Sequence, residues 1–260
     1  MSALTVLRTA DADSKALAAR AFHAEVVAGA GQATGTPPLD PARLEAPALV
    51  HPATLPKRGL GSPSGRAALL HAIAHIELNA IDLSADMAAR FADAPEVADA
   101  RDAFVADWAK VCDDEARHFA MLQARLRALG HAYGDFPAHD GLWQAARDTA
   151  HDIAARLAIA PLVLEARGLD VTPGMIRKLD GVGDTESADI LRVIYAEEVA
   201  HVETGIRWFR HVARTRNRHP QTYFRALVRK HFRGRVKPPF NIDARNRATF
   251  TEDFYRKLVS

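Results

Sequence analysis

Cysteine is almost absent from this chain. Cys112 stands alone among 260 residues, so no intrachain disulfide can staple the fold, and the composition fits a reducing compartment. No run of about 18 uncharged apolar residues occurs, which argues against a transmembrane helix. Near the start, Arg8, Asp11, Asp13, Lys15, Arg20 and Glu25 interrupt any signal-peptide core. The expected location is therefore the cytoplasm, with no membrane contact. Acidic residues are missing from one whole stretch: between Glu203 and Asp243 there is none, against eleven Lys or Arg. Such a run either covers acidic helices and faces solvent, or forms a patch for RNA or another polyanion. No interleaved aromatic platform or nucleic-acid motif supports the second reading. No flavin or nicotinamide motif is visible either.

What is present is helical text. Hydrophobic residues make up 48% of the chain, enough for one sizeable core, and strand-type alternation is nearly absent. An N-terminal helix is expected from Asp13 to Ala28. Gly29 to Pro63 holds seven of the fourteen prolines and reads as an irregular arm that wraps over a helical core. Long helices are then expected over Ser64–Phe91, Glu96–Leu129, Leu142–Arg167 and Thr185–Val212. Gly168 should stop the third, and a separate short helix should begin at Thr172-Pro173. A further helix is expected over Gln221–Phe232, before a basic tail. The implied fold class is all-α, most simply a four-helix bundle. Its parts are an N-terminal helix and arm (1–63), the bundle (64–212) and a basic C-terminal extension packed on it (213–260).

The apolar stripes of these helices contain an anomaly. Phe104, Val111, Leu122 and Leu129 share a stripe with Glu115 and His118. Leu191, Ile194, Gly205 and Trp208 share one with Glu198 and His201. A carboxylate in a core seam must be neutralised, hydrogen-bonded or bound to a cation. Two separate helices carry the same E-x-x-H pair, which chance does not readily supply. The remaining long helices add one glutamate each. Glu77 lies on the stripe of Leu70, Ile73, Ile81 and Ser84, and Glu165 follows a strongly apolar run. Pro161 should bend the third helix one turn before Glu165 and widen the core there. Taken singly, each motif is equally consistent with salt bridges to Arg117, Arg167 or Arg192. Together, four carboxylates and two imidazoles make a candidate ligand set for two divalent ions: iron first, with manganese or a mixed Mn/Fe pair also compatible.

Around this set, His71 and His75 lie off the Glu77 stripe and are expected to make supporting or interhelical hydrogen bonds. Asp82 and Asp114 are candidates to orient ligand imidazoles. Glu197, rotated about 100° from Glu198, is expected as a flanking salt bridge or supporting residue. Tyr195, one turn before Glu198, is a candidate catalytic residue near the metals. Cys112 is expected as a small core residue.

The pattern E…ExxH…E…ExxH resembles the ferritin-like di-iron carboxylate superfamily. More narrowly, HAIAHIELNAIDLSAD (71–86), DEARHF (114–119), PLVLEARGLDVTPGM (161–175) and YAEEVAHVETG (195–205) resemble a bacterial ferritin-like family catalogued as a domain of unknown function, number 455. The resemblance runs from about Gly61 to Asn241. It implies a ferritin-like bundle and lends no settled reaction. The expected activity is an O2-dependent oxidation of an unidentified small organic molecule, supplied with electrons by a donor protein. The alternatives are a tRNA-modifying hydroxylase, using the basic segment to hold RNA, and a non-enzymatic iron-handling or scaffold protein. A monomer or homodimer is expected rather than a cage.

Overall fold

The computed structural model describes residues 1–31, 35–55 and 59–259, and no strand occurs among them. In chain order the helices are α1 (Ala3–Arg8), α2 (Ala12–Val27), α3 (Pro63–Phe91), α4 (Arg101–Ala128), α5 (Gly141–Asp148), α6 (Ile153–Ile159), α7 (Ala166–Gly181), α8 (Thr185–Thr215), α9 (Pro220–His231), α10 (Ile242–Arg247) and α11 (Glu252–Tyr255). A π-helical turn, Ala160–Glu165, joins α6 to α7. The all-α expectation holds.

Local chemistry explains most boundaries. Ser62 accepts from Gly65 N–H and Pro63 fills the first helical position, so α3 starts directly from the arm. Asp184 caps α8 in the same way by accepting from Ser187 N–H, just after Gly183 turns the chain with φ +77. The expected N-terminal helix is α2, and a short helix, α1, precedes it. Ser2 caps α1 and Asp11 caps α2.

The third long helix departs most from expectation. It breaks between Asp148 and Ile153, where Asp152 caps α6. It then passes through the π turn at Pro161, because proline has no N–H to donate back to Leu157. Gly168 does not stop it, and no new helix begins at Thr172. Instead α7 runs through Pro173. The carbonyl that Pro173 leaves without its usual partner is that of Leu169, and Asn241 Nδ2 donates to it at 3.1 Å. A side chain from the C-terminal extension thus repairs the helix at its proline. That extension also carries α10 and α11, which the basic, proline-containing text concealed.

α3 packs along α4, and α7 along α8; α4 against α8 joins the two pairs, while α2 covers the outer side of α4. Gly205 on α8 meets the π turn so closely that a Cβ there would lie 2.6 Å from Pro161 Cβ. The arm is mostly irregular and hydrogen-bonds through its backbone, Ala42 N–H to Leu7 O and Val50 N–H to Ala138 O. Residues 32–34 and 56–58 of the arm lie outside the described residues. The C-terminal extension docks on α7 through buried Arg245, which donates to Asp170 at 2.7 and 2.8 Å.

Candidate metal centre

Four helical segments deliver the six candidate ligands to one buried place. α3 supplies Glu77, α4 supplies Glu115 and His118, the π turn ends on Glu165, and α8 supplies Glu198 and His201. Ligand atoms of Glu77, Glu115, His118 and Glu198 all lie within 4.8 Å of one another. His118 Nδ1 is 3.1 Å from Glu77 Oε2 and 3.4 Å from Glu115 Oε2. His201 Nδ1 is 3.0 Å from Glu115 Oε1 and 3.7 Å from Glu198 Oε2. Glu165 stands outside that group of four and lines one cavity with Glu77, Glu115 and Glu198.

The opposite nitrogen of each imidazole is held from outside, and the holding is reciprocal. His118 Nε2 meets Glu197 Oε2 at 2.8 Å, and His201 Nε2 meets Asp114 Oδ2 at 3.4 Å. Each ExxH motif is preceded by a carboxylate, Asp114 or Glu197, and that carboxylate grips the histidine of the other helix. One residue's step along a helix is about 100°, enough to turn Asp114 and Glu197 from the ligand direction toward the neighbouring helix. Arg117 ties the two gripping carboxylates together, donating to Asp114 and, at 2.9 Å, to Glu197. Lys110 adds a contact to Asp114 at 2.5 Å. Both Nδ1 atoms are therefore aimed at the carboxylate cluster, the orientation that a metal-bound histidine takes when a carboxylate fixes its other nitrogen. Arg117 and Lys110 were not expected in this role. Their only sequence signal is i, i+3 and i, i+4 spacing to Asp114.

Electrostatics mark the cluster as unfinished with protein groups alone. Burial and the Glu115 charge push the Glu77 carboxyl well above its ordinary value. Burial, with the charges of Glu198 and Glu115, pushes Glu165 up to about 8. Burial would also raise Glu115, but His201 and His118 outweigh it and hold Glu115 ionised. Burial opposes a charge on His118, yet Glu115 and Glu77 raise it to about 11. Polar atoms remain without hydrogen bonds: Glu115 Oε1, Glu165 Oε2, Glu198 Oε2 and His201 Nδ1 are all buried and make none. His201 Nδ1 and Glu115 Oε1 approach to 3.0 Å without hydrogen-bond geometry. A nitrogen and a carboxylate oxygen at that separation are satisfied by a shared cation, a proton or a metal ion, and four carboxylates match the charge of two divalent ions. The residues present therefore fit the dinuclear group expected of them.

Beside the carboxylates lies a cavity of about 170 Å³. Glu77, Glu115, Glu165 and Glu198 form one wall, and Ile73, Leu164, Val171, Leu191 and Ile194 contribute apolar surface.

Four expected residues fall elsewhere. His75 bonds Tyr133 Oη at 2.7 Å and the His139 carbonyl at 3.2 Å, and His71 Nε2 accepts from Gly134 N–H at 2.9 Å. Both serve the loop after α4. Asp82 pairs with buried Lys15 and with Arg43, not with a ligand imidazole. Tyr195 Oη accepts from Asn241 Nδ2 at 2.8 Å, so its hydroxyl is turned to the C-terminal extension. His71 and His75 were expected off the Glu77 stripe and make hydrogen bonds there, whereas Asp82 and Tyr195 were candidates beside the cluster whose direction is set by contacts from α2, the arm and the tail. Cys112 is buried, and its thiol faces the Ile81 carbonyl at 3.6 Å.

A Haemophilus influenzae protein described as "Uncharacterized protein" is 44% identical over 209 residues, covering 80% of this chain and 73% of that protein. No solved structure matches. The family described as "Protein of unknown function (DUF455)" matches residues 8–256, nearly the whole chain, and this protein belongs to that family.

Proposed function

We propose that the protein is a dinuclear metal carboxylate protein with a ferritin-like bundle, and that it oxidises a small organic substrate with O2. The observation that carries this reading is the reciprocal pair of buried ExxH motifs, each histidine aimed inward by a carboxylate of the other helix. Two divalent ions, iron or manganese, would supply redox activation of O2 when bound by Glu77, Glu115, His118, Glu165, Glu198 and His201. The protein's share is placement. α4 and α8 hold the imidazoles in one orientation, while Glu165 sits on the irregular turn where the backbone is least constrained by a regular helical ladder.

The adjoining cavity supports a substrate that is apolar where it meets the centre. A cavity of about 150 Å³ can hold benzene, so about 170 Å³ suits a ring or short aliphatic segment of that scale. The four carboxylates on its wall disfavour an anionic reacting end. Insertion of one oxygen atom into a C–H bond consumes O2, two electrons and two protons, and releases water. The electrons come from an external donor protein.

Anaerobic Fe(II) loading followed by O2 exposure, read by optical and Mössbauer spectroscopy, tests the proposal. A dinuclear signal in the wild type that is lost in Glu115→Ala is expected. Wild type and Glu115→Ala behaving alike, with no dinuclear signal, would sink it.

A further inference from the structure

Two cavities meet at the π turn. The one beside the carboxylates carries a single cation on its lining, Arg167. Arg167 and Leu164 also line a second cavity, of about 180 Å³, between the turn, α9 and the C-terminal extension. Leu164 and Arg167 are three residues apart, so about one helical turn sets them on the same side of the chain. The two linings have opposite charge. Glu77, Glu115, Glu165 and Glu198 belong to the first. Arg167, Arg235, Lys237 and Arg245 belong to the second, against one acid, Asp170.

The ion pairs of the second cavity leave a surplus. Asp170 accepts from Arg245 at 2.7 and 2.8 Å and reaches Arg167 only at 3.4 Å. Asp170 and Arg245 thus balance each other, and Arg235 is already engaged. Among the neighbouring elements, α9 carries no acid, and Glu252 of α11 pairs with Arg256 at 2.7 Å. Asp243 and Asp253 are exposed and pair with neither Arg167 nor Lys237. No carboxylate of the candidate metal cluster ion-pairs with Arg167 either. Arg167 and Lys237 are therefore left without an acid of their own among the described residues.

Arg167 also has donors to spare. Its Nη1 donates to the carbonyls of Lys237 and Pro239 at 3.0 and 2.8 Å, while Nε and Nη2 donate to no described residue. A guanidinium holds a carboxylate through such a pair of parallel donors. Two divalent ions would balance the four glutamates, so the surplus at Arg167 persists when the centre is loaded. The rest of both linings is largely apolar, with Leu162, Phe224 and Phe240 in the second cavity and Ile73, Leu191 and Ile194 in the first. An apolar body with few convergent polar groups is the usual make-up of a ligand pocket.

We propose that the substrate is an apolar molecule with one carboxylate, that Arg167 and Lys237 hold this carboxylate, and that the opposite, apolar end enters the first cavity and meets the centre. The proposal rests on the dinuclear reading for its reaction, and on the two cations alone for its anion site. It places the negative end away from the four glutamates and makes the carbon remote from the carboxylate the one that is oxidised.

Calorimetric titration of the full chain with octanoate, octanesulfonate and octanamide tests the anion site, first in chelated protein. Each anion should bind one per chain and at least about tenfold tighter than octanamide. Sulfonate is a poor metal ligand, so its binding reports the cations. Arg167→Gln should weaken both anions at least about tenfold and leave Mn(II) affinity, read by chelator competition, unchanged. Lys237→Glu, at an exposed position, should also weaken both anions and keeps the test open if Arg167→Gln fails to fold. In Mn(II)-loaded protein, octanesulfonate should alter the Mn(II) electron paramagnetic resonance line shape, and Arg167→Gln should abolish that change at the same concentration. A chain that binds no Mn(II) sinks the dinuclear reading, while the chelated titrations still decide the anion site. Four results overturn the proposal: no saturable binding of either anion, equal affinity for octanamide, anion affinity unchanged in the folded variants, or a Mn(II) spectrum indifferent to bound octanesulfonate.

Discussion

Glu197 and Glu198 are adjacent and chemically alike, yet the fold gives them different partners. Glu198 turns an oxygen without hydrogen bonds into the cluster, while Glu197 accepts from Arg117 and grips His118. Glu197→Gln and Asp114→Asn keep size and remove the charge that orients the imidazoles. Each should weaken Mn(II) or Fe(II) binding by about 10- to 100-fold while the chain stays folded. Chelator competition measures this, and a mere surface salt bridge would show no change. Tyr195→Phe gives the opposite expectation. It removes the hydrogen bond to Asn241, costing about 1 kcal/mol in urea denaturation, and leaves metal affinity and the optical spectrum as in wild type. The ligand candidates were legible in the sequence because an acid on an apolar stripe announces itself. The aim of Tyr195 and Asp82 was not, since Asn241, which engages Tyr195, comes 46 residues later and Lys15 comes from a helix far earlier in the chain.

At the scale of elements, two prolines show what the text could and could not convey. Pro161 was expected to disturb the helix before Glu165, and it does so as a π turn. Pro173 and Gly168 were read as boundaries, yet α7 passes through both because Asn241 satisfies the Leu169 carbonyl. Tertiary contact overrode a local signal, and no pattern within 142–181 could reveal it. The π turn also depends on a small neighbour. Gly205→Ala would force its Cβ against Pro161, so a loss of about 1–3 kcal/mol is expected, with weakened metal binding as Glu165 shifts. Unchanged stability and affinity would show that the two helices separate freely. The start of α8 makes a pH prediction. Burial would raise Asp184, but its bonds from Ser187 and Arg125 outweigh this and hold its carboxyl below the ordinary value. A depressed acid stabilises the fold above its unfolded pKa of about 4 and loses that contribution as pH falls through the folded value. Asp184→Asn retains the capping oxygen. It should therefore flatten the acid limb of stability, measured by urea denaturation from about pH 5 to pH 2, more than it lowers stability at pH 7.

For the whole molecule, the arm and the C-terminal extension meet the helices through particular contacts, and several cations of the basic segment are committed to the protein itself. Arg207 pairs with Asp107, Arg216 with Glu96 and Asp152, and Arg225 with the Asp253 carbonyl. These layers enclose a core that places four carboxylates together, an arrangement that weakens the fold unless cations or protons compensate. Stability and metal binding should therefore pull in opposite directions at Glu165, a half-buried residue whose buried Oε2 lacks any hydrogen bond. In chelated protein, Glu165→Leu is expected to raise unfolding free energy by about 1–3 kcal/mol, since it replaces an acid with a buried unpartnered oxygen by an apolar side chain beside Leu164 and Leu191. In metal-loaded protein the order should reverse. A ligand present at about 100 times its dissociation constant stabilises the wild type by about 2.7 kcal/mol, a gain the variant forfeits in proportion to its lost affinity. Thermal unfolding with and without Mn(II) reads both arms, at about 2–4 °C per kcal/mol for a chain of this size. A variant less stable than wild type under chelation would mean that Glu165 supports the fold directly; a crossover on adding metal is the behaviour of a carboxylate kept in the core for a cation.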